Sequence, residues 1–382
     1  MSLDSYSVKE IRDICKINDS SYSKKDNWSF FNYLDTKNIT KGEINEIKYL
    51  DPSIEKIPSR AKRKVNIDDI IISTVRPNQE HYGMIKYKMD NFLVSTGFTT
   101  LTVDKSKAIP EFIYYYITQN HITEALQTIA EQSTTSYPSI RPSDIGDIII
   151  NLPPLEIQKG ISNILSKIEN KIEINKKINK NLTKLSSIIF INLMEKSNEF
   201  LKLNKCCKFI KGKKPKETSD YPQPNFLDYL TIDVLSNQSQ MYAHDEKGIL
   251  ANEYDILMVM DGASSGKLFY GKSGLVGSTL AKLNVEEKYL EIVYQFLKQS
   301  EKFISDNTTG SAIPHTDKGL VLNLKCPISE ELLNYSDTFK SIRSSIITNN
   351  NEILKLQKLR DTLLPKLMSG EIDVSKINYD LE

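Results

Sequence analysis

From Ile161 to Ile189 the apolar positions step by alternating fours and threes. Ile161, Leu165, Ile168, Ile172, Asn175, Asn179, Leu182, Ser186 and Ile189 share one seam. A 3.5-residue period of this kind belongs to a helix that packs along a partner helix. The pattern recurs 174 positions later as Tyr335, Phe339, Ile342, Ile346, Asn349, Ile353, Leu356, Arg360 and Leu363, with one asparagine (Asn175, Asn349) at the same place in both copies. At a rise of 1.5 Å per residue each rod runs about 43 Å. Two equal apolar stripes bury each other most simply, and the polar seam position fixes their register at some cost in stability.

The segments around the rods also repeat. In the first half, Tyr33 to Asp35 and Val65 to Thr74 read as strands, and Pro110 to Ile129 reads as a helix with proline in its first turn. A polar loop from Gln132 to Ser139 and a strand from Ile148 to Leu152 follow, and Pro153-Pro154 marks a boundary. In the second half, Tyr229 to Val234 reads as a strand and Asp255-Ile256-Leu257-Met258 matches Asp69-Ile70-Ile71-Ile72. Leu290 to Ser300 matches the Pro110 helix, Asn307 to His315 the polar loop, and Val321 to Pro327 the strand before the rod, which is expected to begin near Leu332. The fold class is therefore α+β: two similar α/β domains separated by two long helices, forming an internal repeat with a pseudo-two-fold axis. The chain connection permits either helix sense. An antiparallel coiled coil is expected, because it sets two similar domains apart to meet a two-fold symmetric ligand. Duplex DNA is one such ligand, and one of its turns is about 34 Å.

Composition narrows the function. The chain has 382 residues and a net charge of +1, so nucleic-acid binding requires local basic patches. One patch is Lys56 to Lys64, with five basic residues in nine; another is 202 to 216, with seven lysines and no acid. Each lies ahead of an Asp-Ile-Ile or Asp-Ile-Leu strand and is broken by Pro or Gly, which reads as a basic loop in corresponding parts of the two domains. Cys15, Cys206, Cys207 and Cys326 form no C-x-x-C pair, so neither a zinc site nor a disulfide framework is expected. With no signal-like start and no run of 18 apolar residues, the expectation is a soluble cytoplasmic protein.

Catalytic motifs are sparse. Asp261 to Leu268 has three residues between its glycines and Leu268 after the lysine, where a phosphate-binding P-loop needs four residues and then Ser or Thr. Glu286-Glu287-Lys288 reads as a surface turn, and His81, His121, His244 and His315 share no spacing. No metal site is expected. Two other classes remain open: a self-contained DNA-modifying enzyme with a degenerate site, and a coiled-coil scaffold without a DNA role.

Leu356-Gln357-Lys358-Leu359-Arg360-Asp361-Thr362-Leu363-Leu364-Pro365-Lys366-Leu367-Met368-Ser369-Gly370-Glu371-Ile372 closely resembles the C-terminal signature of the specificity subunit of type I restriction-modification systems. Leu152 to Gln158 resembles the start of that family's central helix. Tyr33 to Asp35, Ser73 to Asn78, Tyr229 to Ile232, Asp261 to Gly266 and Gly310 to Pro314 resemble segments of its target-recognition domains. Ile328-Ser329-Glu330 departs from the family's Pro-Leu-Glu-Gln pattern and blurs the start of the second rod.

The resemblance implies target-recognition domains at 1–154 and 197–327, a central conserved helix at 155–196 and a C-terminal helix and tail at 328–382. It implies a non-catalytic subunit that reads a bipartite, interrupted site in double-stranded DNA. Two modification (methyltransferase) subunits and restriction/translocase subunits are the implied partners, carrying S-adenosylmethionine, ATP and Mg²⁺ and methylating adenine at N6; this chain binds no cofactor of its own. The candidate DNA contacts are Arg60, Lys62, Arg63, Lys64 and Arg76 in the first domain, and Lys211, Lys213, Lys214, Lys216, Ser264, Ser265 and Lys267 in the second. The coiled-coil seam comprises Ile161, Leu165, Ile168, Ile172, Asn175, Leu182 and Ile189 against Phe339, Ile342, Ile346, Asn349, Ile353, Leu356 and Leu363.

Overall fold

A computed structural model describes residues 6–132, 138–310 and 312–375. The chain forms two compact units. One draws on the chain up to Ile172 and again from Lys355; the other spans Glu173–Leu354. Each contains a stretch of both long helices, Leu155–Met194 and Ser336–Met368.

In the first unit, Ile70–Ser73 lies between the antiparallel strands Phe98–Val103 and Tyr82–Met84, with Cys15–Ile17 outside Phe98–Val103. Successive residues of a strand point to opposite faces. Ile70 and Ile72 accordingly enter the core that also holds Phe112, Ile161 and Leu165, while Ile71 enters another with Leu34, Phe92 and Phe98. Both faces are covered, which is why this strand reads as an unbroken apolar run. A second sheet sets Phe92–Ser95 parallel to Phe31–Leu34 and antiparallel to Ala61–Lys64, with Lys48–Leu50 at its edge.

The second unit repeats this plan. Ile256–Val259 lies between Leu280–Val285 and Leu268–Phe269, with Cys207–Lys211 outside. Ile256 and Met258 face one core, Leu257 and Val259 the other. Gly274–Val276 is parallel to Leu227–Leu230 and antiparallel to Leu250–Ala251, and Tyr242–His244 and Glu217–Ser219 complete that sheet. A short antiparallel pair closes each unit beside its long helix: Ser7–Glu10 with Ile149–Leu152, and Phe200–Lys202 with Lys325–Pro327.

Within each unit the long helices run antiparallel. In the first, Ile157, Ile161 and Leu165 share a core with Leu367 and Met368. In the second, the rings of Phe190 and Phe339 meet edge to face at 6.3 Å, while Asn175 donates to Glu352 at 2.8 Å. Ile161, Leu165, Ile172, Asn175, Phe339, Ile342, Ile346 and Ile353 are buried; Ile168, Leu182, Ile189, Asn349, Leu356 and Leu363 are half-buried. Asn349 donates to Asn179, which in turn donates to Asn350, each at 2.8 Å.

Several elements differ from the periodicity. Val65 to Thr74 is not one strand: Ala61–Lys64 and Ile70–Ser73 are separated by a turn in which Asn66 N donates to Asp69 and Asp68 adopts a φ of 72°. Pro110 to Ile129 divides into Pro110–Ile117 and Asn120–Glu131, because Gln119 is extended and the Thr118 hydroxyl takes the Tyr114 carbonyl at 2.8 Å. The run from Tyr229 contains the strand Leu227–Leu230 and then the helix Ile232–Leu235, capped by Thr231. Val321 to Pro327 divides between the helix Lys318–Asn323, capped by Asp317, and a strand. Ser329 caps a separate turn of helix, Glu330–Asn334, so the second long helix starts at Ser336 instead of near Leu332. Of the Gln132 to Ser139 loop, residues 133–137 lie outside the described residues. Among the described residues no helix is long and apolar enough to cross a membrane.

Candidate nucleic-acid interface

In the second unit, strand pairing brings three loops to one end of a sheet and an isolated bridge adds a fourth. Lys211 pairs with Ala281 and Leu280 with Val259, so one strand end, one strand start and another strand end coincide there. The stretch after Lys211 leaves in close contact with its neighbours: Gly212 N donates to Leu280 O at 2.9 Å, and a Cβ at Gly212 would stand 2.2 Å from Gly277 O. Only glycine permits that approach. Lys211, Lys213, Lys214 and Lys216 on this stretch are exposed.

Beside them the loop after Val259 is clipped to the loop before Thr316. Gly262 N donates to Pro314 O at 2.9 Å and Thr316 N to Met260 O at 2.8 Å, framing the bridge between Asp261 and His315. The Asp261 carboxylate lies 2.8 Å from His315 Nδ1 and 3.2 Å from Lys211 Nζ. Partial burial opposes its charge, but the hydrogen bonds from His315 and Lys211 outweigh that and hold the carboxyl below its ordinary range. Lys267 is exposed, with its ammonium 4.9 Å from the Phe269 ring centroid, and Ser264 is half-buried.

Ser265 is not at the surface. It is buried, and its hydroxyl donates within the clip, lying 2.7 Å from Gly262 O and 2.9 Å from Pro314 O. Its role in the fold is to hold the two loops together.

The first unit carries a clip of the same form. Arg76 N donates to Pro138 O and Ile140 N to Thr74 O, each at 2.9 Å, on either side of the bridge between Val75 and Ser139. Thr74 N donates to Gly97 O and Thr96 N to Arg60 O, each at 2.8 Å, which brings Arg60 to the same sheet end as Arg76. Arg60, Lys62 and Arg76 are exposed, and Arg76 holds a φ of 48°.

Arg63 and Lys64 are engaged inside the unit. Arg63 Nε donates to Phe98 O at 2.9 Å, and burial lowers the affinity of its guanidinium for the proton. Lys64 pairs with Asp26 and lies 5.3 Å from the Trp28 ring. Lys56 to Lys64 is therefore in part a paired strand, and it does not correspond to the run at 202 to 216. Ala61–Lys64 occupies the place of Leu250–Ala251, whereas Cys207–Lys211 occupies that of Cys15–Ile17. Linear order missed this because strand partners come from distant segments.

Sequence spacing also missed His315. The ring meets Asp261 across 54 positions, and the signal in the sequence was that His315 ends the polar loop Asn307 to His315. Among the described residues no group of three or more His, Cys, Asp or Glu side chains is placed to hold a metal ion, and the four cysteines are buried and unpaired.

The class follows from this architecture: a duplicated α+β protein whose two units each present clipped, basic loops at a sheet end and pack on antiparallel helices. Residues 4–184 match the family described as the type I restriction modification DNA specificity domain. The chain is 33% identical over 177 residues to the specificity subunit of the type I restriction enzyme MjaVIII from Methanocaldococcus jannaschii. That match takes in 45% of this chain and 42% of the relative, so it spans less than half of that relative's length. The putative type I restriction enzyme MjaX specificity subunit from the same organism is 22% identical over 97% of this chain and 94% of its own. A crystal structure of a type I restriction-modification S subunit from M. genitalium shares the fold, with a TM-score of 0.61, 17% identity, and coverage of 95% of this chain and 96% of that one. Residues 4–184 are thus similar to a type I restriction modification DNA specificity domain, and the fold of the chain is that of a type I S subunit.

Proposed function

We propose that this chain is the DNA-reading, non-catalytic subunit of a methyltransferase and restriction complex. Residues 1–154 and 197–327 would each read one half of an interrupted target, with 155–196 and 328–382 forming the rods. The observation that carries this reading is the clipped loop pair present in both units, flanked by Arg60 and Arg76 in one and by Lys211, Lys213 and Lys267 in the other. Phosphate contacts from the lysines would supply affinity and salt dependence, and a few side chains on the clips would reach bases.

The partners in this reading are two modification subunits and restriction/translocase subunits, and S-adenosylmethionine, ATP and Mg²⁺ belong to them. A docking face for the modification subunits is supported by Ile174, Ile178, Leu185 and Ile188, which step by four, seven and three along the first long helix and are 41–51% exposed. Apolar residues repeated on a solvent-facing stripe mark an interaction surface.

Co-expression with the neighbouring modification gene, followed by single-molecule sequencing of host DNA for methyladenine, tests the proposal. A two-part motif with a fixed gap is expected. Methylation that persists when this chain is deleted would overturn it, as would turnover by the purified chain alone with DNA and S-adenosylmethionine or Mg²⁺.

A further inference from the structure

We infer that the paired clip residues are specificity determinants, and that His315, oriented by Asp261, reads a base edge in one half-site while Arg76 and Ser139 serve the other. The inference rests on the DNA-reading function proposed above and deepens it to named side chains.

The chain supplies its own comparison. Both units build the same backbone device: an isolated antiparallel bridge, Val75 with Ser139 and Asp261 with His315, framed by hydrogen bonds of 2.8–2.9 Å. The scaffold is kept while its side chains are not. Asp261 stands where the first unit has Val75, His315 where it has Ser139, and Gly262 where it has Arg76. Interior residues maintain the clip, notably Ser265 and the Thr316 hydroxyl, which donates to Val259 O at 2.6 Å. Stability alone gives no reason for an Asp–His pair in one copy and a Val–Ser pair in the other. Two readers of different half-sites require such a difference.

The chemistry of the pair defines what it recognises. An ionised carboxylate only accepts hydrogen bonds, so the His315 Nδ1 at 2.8 Å carries the proton. Whenever the ring is neutral, Nε2 then offers a lone pair. Its complement in the major groove is an exocyclic amino group, N6 of adenine or N4 of cytosine. Lys211, on the other oxygen of Asp261, keeps the carboxylate in place and adds positive charge beside the groove. The half-exposed His315 ring is therefore held in orientation before it meets DNA, and little ordering entropy remains to be lost on binding.

The test compares the full chain with His315→Ala, His315→Gln, Asp261→Asn and Arg76→Gly, each co-expressed with the modification subunits, by methyladenine mapping and by competition binding. His315→Ala and Asp261→Asn are expected to relax one or two positions of one half-site, with about five- to tenfold less discrimination there, while the other half and the gap stay unchanged. Arg76→Gly, which suits the positive φ, is expected to relax the opposite half only. An unchanged motif with uniformly weaker binding would make His315 a phosphate contact, and an unchanged motif with unchanged binding would leave it no DNA role; either overturns the inference. Thermal unfolding and co-purification with the partners separate misfolding from lost reading, and His315→Gln supplies a milder variant. Absence of any wild-type motif would remove the proposed function itself, and this inference with it.

Discussion

Arg360 Nη1 donates to Glu169 Oε1 at 2.6 Å, joining the two long helices within the first unit across 191 positions of sequence. The 174-residue repeat maps Glu169 onto Arg343 and Ser186 onto Arg360, so the second unit has an arginine where the first has a glutamate. Arg343 turns to its own domain: it is buried against Glu291, donates to Tyr254 O at 2.8 Å, and has the rings of Tyr254, Tyr270 and Tyr294 within 5.7 Å. The Ser186 hydroxyl, at the place of Arg360, is buried without a partner. Equivalent seam positions thus carry different electrostatics, and each unit is matched to its own helix pair.

Breaking the first pair should cost modestly. Both side chains are about a quarter exposed, so a double-mutant cycle of Arg360→Ala and Glu169→Ala, followed by urea unfolding, is expected to give a coupling of about 1–2 kcal/mol. A coupling near zero would mean that the pair adds nothing to helix docking.

The second pair is buried and should behave differently. Arg343→Leu strands a carboxyl that burial already pushes up against the pull of Arg343, at a cost of about 3–5 kcal/mol. That cost should shrink as pH falls, because a protonated Glu291 needs no countercharge. Adding Glu291→Leu should restore much of the loss; unfolding midpoints of the single and double variants decide this.

Basic residues that look alike in sequence should separate by assay. Lys213→Ala and Lys214→Ala are expected to leave unfolding midpoints alone and to reduce the salt slope of DNA binding by about one each. Arg63→Ala and Lys64→Ala should lower the midpoint instead, since they remove the bond to Phe98 O and the pair with Asp26.

Charging the outward helix face should uncouple assembly from folding. Ile178→Glu and Leu185→Glu lie at exposed positions, so the unfolding midpoint is expected to hold while co-elution with the modification subunit is lost. Retained co-elution would place the docking face elsewhere.

The thiols should be inert in the folded chain. Burial pushes Cys15 and Cys207 up to about 12, and raises Cys206 and Cys326 as well. Thiolate is the reactive form, so iodoacetamide at pH 8 is expected to label none of the four natively and all four in guanidinium.

The sequence by itself determined the rods, the repeat and the buried strands, because these are local patterns. A 3.5-residue period forces Ile161 and Leu165 to one side of the first long helix, and Phe339 and Ile346 to one side of the second, whatever else the chain does, and Ile70-Ile71-Ile72 has no polar face to leave in water. Helix breaks at Gln119 and Tyr335 were less legible, since single polar residues decide them. The tertiary structure alone decided which basic residues stay exposed and which are engaged inside. Lys64 meets Asp26, Ser265 turns inward and His315 finds Asp261 because strand pairing and loop clipping join segments tens of residues apart, and no periodicity records a contact between distant positions.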